Sequence, residues 1–439
     1  MATINGLPAP APRRQDGSGF DLHSSTGSPR PEDPIGVARK GLNILGASAR
    51  AAATSALRAG FAPAASDRFG DLDLRHSATY FESTGTYPLG LPATLERMPR
   101  APWIYTGALE DEPDLVAKLE RIRPLWGNPE RVLRQIRNPF LVSAALTDTE
   151  TPMAPVREDI REDTAPPFAS GRRFERDGIE WLGKQYPGGG IDARDGKAFR
   201  HNYLQRWIEG QPASALFVAE AAGCHFCGCT LQLVGESWLG APALAWCGNV
   251  GPLQTSDLER AALEALGERL RSRFRLRGLF GVDFILVPAK TPGARRGIIP
   301  IEVNPRFTGA VEVLERAGPL RAMELHAAVF QSPHAGSNPG CPAAGIPFEA
   351  PPGRVAGRAI VYAASTCVVV WPPAHSFASP NGEADWAADL PSSGTRVERG
   401  QPVLSVFAQA NSISTCKARL EAQAEGARRY LHRFSEASY

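Results

Sequence analysis

Residues 279–287, LFGVDFILV, and 297–309, GIIPIEVNPRFTG, read as two apolar strands. The connection between them, PAKTPGARRG, contains Pro and Gly and is short enough for an antiparallel pair. Side chains alternate along a strand. Ile301 and Val303 therefore face one way, and Glu302 and Asn304 the other. Asp283 lies among apolar residues of the neighbouring strand, so two acids and an amide can meet across the pair. Core packing asks for no such set. Two carboxylates and an amide carbonyl are hard oxygen ligands and suit Mg²⁺, with Mn²⁺ able to substitute. Arg306 adds a fixed cation toward the same point. The bland alternative is a set of structural ion pairs with Arg277 or Arg306.

Upstream lies KQYPGGGI, residues 184–191. Gly188, Gly189 and Gly190 would let backbone N–H groups close on an anion and let the loop act as a lid. Lys184 opens the segment and suits a phosphate. No Gly-Lys-Ser/Thr follows, so it is not a Walker A motif. The stretch HNYLQRWIEG follows, and its Gln205, Arg206, Trp207 and Ile208 offer backbone groups and apolar side chains of the kind that grip an adenine ring.

The chain has 439 residues, with a hydrophobic fraction of 43% and a charged fraction of 21%, ordinary for a globular protein. Its formal net charge of +2 gives no reason to expect nucleic acid or an anionic membrane as partner. Seven Cys, an odd number, do not form a secreted disulfide pattern. The N-terminus lacks an apolar h-region, and no apolar run is long enough to span a membrane, so a cytoplasmic protein is expected. Residues 1–38 are rich in Pro, Gly, Ser and Asp and read as a disordered tail. LNIL, ARAAATSALRAG and FAPAASD then spell a βαβ unit, which implies a parallel sheet. Gly46, Ser48 and Ala51, with Asp67 where a ribose ligand would sit, approach a dinucleotide fingerprint. Ser48 stands where the middle Gly should be, which disfavours that use. TSDLERAALEALGERLRSRF reads as a long helix capped by Ser256 or Thr255.

In series, the Lys before a Gly-rich segment, the Gln-x-aromatic-Ile-x-Gly hinge, GLFGVDF and IEVNPRFTGAVEVLE resemble the ATP-grasp superfamily from Trp181 to about His326. Within it the chain looks nearest the amino-acid ligase-like group that includes the tyramine–glutamate ligase of methanofuran synthesis. The resemblance implies an α/β chain. A Rossmann-like pre-ATP-grasp domain over 39–147 would precede a two-lobed α+β ATP-grasp fold over 148–330. A linker over 331–353 and a small C-terminal lobe over 354–439 would follow. It implies ATP as the nucleotide, with Lys184 on its phosphates and Gln205 to Ile208 around its adenine. Asp283, Glu302 and Asn304 would hold Mg²⁺, and Arg306 would stabilise the transferring phosphoryl group or an acyl phosphate. Family members carry a second basic residue over the phosphates. Here the corresponding region is a polar connector, where Arg157, Arg161, Arg172 and Arg173 are the candidates. Gln185 stands where Pro is common.

The implied reaction joins a small-molecule carboxylate to an amine through an acyl phosphate, releasing ADP. A carboxylase, a small-molecule kinase and a non-catalytic ATP-binding module are the alternatives, and a homodimer is the default assembly. CHFCGC carries Cys224, His225, Cys227 and Cys229 at a spacing zinc could use. The competing reading is a core strand with Cys227 and Cys229 on one apolar face.

Overall fold

The computed structural model describes residues 39–158, 173–176, 178–191, 198–289, 291, 294–331, 353–370 and 386–434. The tail over 1–38, residues 332–352 of the linker, and Arg161 and Arg172 lie outside the described residues. The βαβ unit is present: β1 (Lys40–Gly46), α1 (Arg50–Arg58) and β2 (Phe61–Asp67), followed by α2 (Leu72–Ser77), β3 (Tyr80–Phe81), α3 (Leu91–Arg97) and β4 (Trp103–Tyr105). The four strands form a parallel sheet in the order β3-β2-β1-β4. Buried on both faces, its strands are apolar runs without alternation. Three helices follow, α4 (Pro113–Ile122), α5 (Glu130–Ile136) and α6 (Pro139–Leu146).

A four-stranded antiparallel sheet comes next: β5 (Val156–Glu158), β6 (Arg173–Arg176), β7 (Ile179–Ile191) and β8 (Ala198–Arg206). The remaining strands are β9 (Gln211–Ala219), β10 (Cys224–Val234), β11 (Trp246–Gly251), β12 (Gly278–Val287), β13 (Gly297–Asn304), β14 (Val355–Tyr362), β15 (Cys367–Val368), β16 (Ala387–Ala388), β17 (Arg396–Val397) and β18 (Pro402–Ala410). All but the small β15–β17 pair build one eight-stranded antiparallel sheet, β13-β12-β9-β10-β11-β14-β18-β16. The C-terminal strands β14 and β18 thus continue the sheet that carries β12 and β13.

Helices cover this sheet. α7 (Asp257–Phe274) begins at a capping box in which Ser256 Oγ accepts from the Glu259 amide at 3.3 Å and Glu259 returns a bond to the Ser256 amide at 2.9 Å. Leu263, Leu266, Leu270 and Phe274 form its buried stripe, against the stacked pair Phe217 and Phe280. Each such side chain stabilises by about 1.5–3 kcal/mol on burial. α8 (Gly309–Ala317) and α9 (Ala322–Gln331) pack on the other face, where Val311, Leu314 and Met323 meet Ala52, Ala56 and Phe61 of the N-terminal layer. α10 (Ile413–Phe434) covers β14 and β18 through Leu420, Ala424 and Ala427.

A buried ion network locks the layers together. Arg50 of α1 pairs with Glu312 of α8 and, at 2.9 Å, with Asp389, which also receives Arg358 of β14 at 2.6 Å. Removing one member of such a network costs about 3–5 kcal/mol. His326 of α9 makes a second, neutral link. Its Nδ1 accepts from the Leu279 amide at 2.9 Å, so Nε2 carries the proton and donates to the Trp126 carbonyl at 3.0 Å. Gly278 lies beneath the ring at φ +74, where a Cβ would stand 2.6 Å from Nδ1.

Burial pushes the His326 pKa down to about 4 from 6.5. The unfolded chain therefore binds a proton between these values that the folded chain refuses, and stability falls as pH drops through that window, by about 1.4 kcal/mol per unit. In urea unfolding at pH 7, 6, 5 and 4.5, His326→Gln should remove this part of the pH slope relative to the parent protein. An unchanged slope would contradict the assignment.

Candidate active site

β12 and β13 pair as their sequence suggests, with Asp283 opposite Glu302. The register slips between Asp283 and Phe284, so Ile301 is an extra residue on β13 and re-aims the chain beside Glu302. Glu302 receives two cations. Arg137 donates from Nη1 to Oε1 at 2.8 Å, and Lys184 Nζ stands 3.6 Å from Oε2. Burial alone would raise the Glu302 pKa, but Lys184 and Arg137 overrule it and hold the carboxyl well below its usual range. Lys184 is buried, donates to Gln205 Oε1 at 3.3 Å, and is held in its charged form by Tyr203 and Glu302 against the cost of burial. Gln205 in turn donates to the Ile301 carbonyl at 3.0 Å.

Asp283 accepts from Gln232 Nε2 at 2.9 Å and from Asn304 Nδ2 at 3.0 Å. Burial, and then the neighbouring charge of Glu302, push its carboxyl up to about 6. Asn304 Oδ1 accepts from Arg306 Nη2 at 3.3 Å. Arg306 is anchored on the other side by Glu110 Oε1 at 2.6 Å. Glu110 and Asp111 belong to a single 3-10 turn, Leu109–Asp111, just after β4. Asp111 holds Arg137 through Nε at 2.8 Å. Ala108 before that turn has φ +80, a conformation a non-glycine residue keeps only when its surroundings impose it.

Asp283, Glu302, Asn304, Arg306, Lys184 and Gln205 thus form one connected set. The glycine segment departs from expectation. Gly188, Gly189 and Gly190 continue β7 as strand rather than loop, at a register irregularity between Pro187 and Ile191. Further along the expected adenine-gripping stretch, Arg206 is exposed, its amide bonding to the Pro155 carbonyl at 2.8 Å. Half-buried Trp207 stacks under Arg173 at 4.5 Å and donates to Glu209 at 2.6 Å, and Ile208 is half-buried beyond it.

Of the four candidates for the second cation, Arg161 and Arg172 lie outside the described residues, and neither of the other two reaches Lys184. Arg157 pairs in register with Leu204, whereas Lys184 pairs with Tyr203, so Arg157 falls on the opposite face and stacks on Trp181 at 4.0 Å. Arg173 is committed to Glu180 at 2.6 Å. Among the described residues the second cation beside Lys184 is Arg137, which sequence reasoning missed. It ends α5 and reaches Glu302 across 165 positions, so no local pattern marks it. Gln232 was missed too, although it stands in a strand among apolar residues as Asp283 does.

The donor set fits a hard divalent cation. Asp283, Glu302 and Asn304 present oxygen atoms, and the Gln232 Oε1 beside them is buried without a hydrogen-bond partner. Between this set and the four-stranded sheet lies a cavity of about 30 Å³, lined by Arg137, Lys184, Tyr186, Tyr203, Ile301 and Glu302. That volume holds little more than water.

Two other sites from the sequence resolve structurally. Asp67 accepts from the amides of Ala49, Phe69 and Gly70 at 2.9, 3.1 and 2.7 Å, so it ties its own loops together instead of facing a ribose. In β10 a bulge between Phe226 and Gly228, with Cys227 as the extra residue and Gly228 at φ +131, breaks the alternation. Cys227 joins the core under α1 and α9, while Cys229 joins the core under α7. The two thiols lie on opposite faces, not on one, and burial pushes Cys227 up to about 12 and Cys229 higher still. Among the described residues no helix is long and apolar enough to cross a membrane.

A family model described as an ATP-grasp domain matches residues 188–310. No curated protein matches the chain. Among solved structures, an L-amino acid ligase from Bacillus licheniformis is similar at 13% identity and TM-score 0.59, covering 88% of this chain and 97% of its own. N5-carboxyaminoimidazole synthetase from Staphylococcus aureus is similar at 11% identity and TM-score 0.56, covering 88% and 98%. Pyruvate carboxylase from Rhizobium etli is similar at 14% and TM-score 0.59, covering 87% of this chain and 36% of its own. These likenesses show the fold.

Replacing Arg137 by Met should weaken binding of a fluorescent ATP analogue by tenfold or more, since a charged hydrogen bond contributes about 1.5–3 kcal/mol. Arg157→Met should leave it within about twofold. The reverse ranking would return the role to β5.

Proposed function

Because the chain carries an ATP-grasp domain, we propose that it is an ATP-dependent carboxylate–amine ligase of the amino-acid type, with ADP and phosphate as products. The observation that supports this most is the convergence of Lys184, Arg137 and Arg306 on Glu302, Asp283 and Asn304. Phosphoryl transfer to a carboxylate needs little covalent chemistry from a protein. It needs cations fixed around the moving phosphoryl group and oxygen ligands for a divalent ion.

Lys184 and Arg137 would take the β- and γ-phosphate oxygens, releasing Glu302 from its ion pairs. Asp283, Glu302 and Asn304, with Gln232 supporting Asp283, would hold Mg²⁺. Bound there, Mg²⁺ supplies charge neutralisation on the phosphate oxygens. Arg306 would orient the substrate carboxylate and then its acyl phosphate. The amine attacks the activated carbonyl, the C–N bond forms, and phosphate leaves with the C–O electron pair.

The likeness to a pyruvate carboxylase supports a second reading, in which bicarbonate is the carboxylate that is phosphorylated. One assay separates the readings. With ATP and Mg²⁺, ADP should form when pooled L-amino acids are supplied and not when they are left out. Glu302→Gln should lower the rate about 10²-fold or more. AMP as product would contradict the acyl-phosphate route, and ADP dependent on bicarbonate without an amine would favour the carboxylase.

A further inference from the structure

The ligase reading leaves one step without a protein group. An amine arrives as an ammonium ion, which has no lone pair, and must lose a proton before it can attack. Each carboxylate near Arg306 can be weighed as the acceptor. Glu302 has both oxygens on cations. Asp283 has both oxygens on amide donors. Asp111 is committed to Arg137.

Glu110 differs. It is fully buried, at 0% exposure, in the turn after β4 at the C-terminal edge of the parallel sheet, where ligands of such sheets bind. Both Nε and Nη2 of Arg306 converge on its Oε1 at 2.6 Å. Its Oε2 is buried and has no hydrogen-bond partner. A buried acceptor left unpaired costs about 1–3 kcal/mol, so a donor is missing from this side of the site. On the ligase reading the adjacent guanidinium would hold the acyl phosphate, which would bring the reacting carbonyl close to Glu110.

We propose that Glu110 is the general base of the ligation, receiving through Oε2 a proton from the primary ammonium group of the acceptor substrate. This rests on the ligase reading. The step balances as follows. The ammonium gives one proton to Glu110, and the freed nitrogen lone pair attacks the acyl-phosphate carbon. The C–N bond forms and the C–O bond to phosphate breaks. The second nitrogen proton leaves with the phosphate as hydrogen phosphate, and Glu110 returns its proton to water on product release. Burial raises the Glu110 pKa despite the opposing charge of Arg306, which brings a carboxylate closer to the range of an efficient base.

Hydroxylamine provides the test, because it is largely unprotonated at neutral pH and needs no base. The full-length protein, with ATP and Mg²⁺, is given the twenty L-amino acids with or without hydroxylamine, and dipeptides, hydroxamates and ADP are measured. In Glu110→Gln, dipeptide formation at pH 7 should fall about 10²–10³-fold, while hydroxamate formation stays within about threefold. The dipeptide rate of the variant should recover as pH rises toward the amine pKa. Glu110→Asp, which keeps the carboxylate, should lie between and keep the parental pH profile. Equal loss of both products would overturn the proposal and reduce Glu110 to a support for Arg306. So would no loss of either. A parent protein that forms neither product would sink the ligase reading itself, a failure visible before any variant is made.

Discussion

Glu302 is a buried carboxylate shared by two cations from distant parts of the chain, and the site is organised around it. Lys184 comes from the four-stranded sheet, Arg137 from the end of α5, and Glu302 itself from the edge strand of the eight-stranded sheet. Buried charges are tolerated when each has a partner, and stripping one partner away costs about 3–5 kcal/mol. In this structure the partners are one another. In the proposed complex they exchange: phosphate oxygens take the cations, and a divalent ion takes the carboxylates. Charge is conserved through the exchange, so the site would fill without leaving an ion bare.

The N-terminal layer takes part directly. The turn Leu109–Asp111 places one acid on each arginine, Glu110 on Arg306 and Asp111 on Arg137. Behind it, Arg50, Glu312, Asp389 and Arg358 tie α1, α8 and the C-terminal strands into one body. The side of the site that the ligase reading gives to phosphate is therefore joined to the edge of the parallel sheet by ion pairs through both arginines. That arrangement suits a reaction in which a group activated on one side is attacked from the other.

Much of this was legible in the sequence because it is local. Period-2 alternation places Glu302 and Asn304 on one face, an acid in an apolar strand marks Asp283, and the Ser256–Glu259 spacing announces α7. What escaped is long-range or hinges on one residue of register. Arg137 meets Glu302 across 165 positions, Glu110 meets Arg306 across 196, and Asp111 meets Arg137 across 26, none of them within reach of a local pattern. Gly188–Gly190 has loop composition, yet it runs on as strand between two residues that do pair with β8, Pro187 and Ile191. The bulge between Phe226 and Gly228 sends Cys229 to the face opposite Cys227, which no alternation rule foresees.

The central claim is that a carboxylate is activated by phosphorylation at this site. Positional isotope transfer tests it most directly. L-amino acids labelled with ¹⁸O in their carboxyl groups are turned over with unlabelled ATP, and the released phosphate is analysed by mass spectrometry. An acyl-phosphate route predicts one ¹⁸O atom in each phosphate formed with product. Phosphate carrying no label beyond the solvent control would contradict the account.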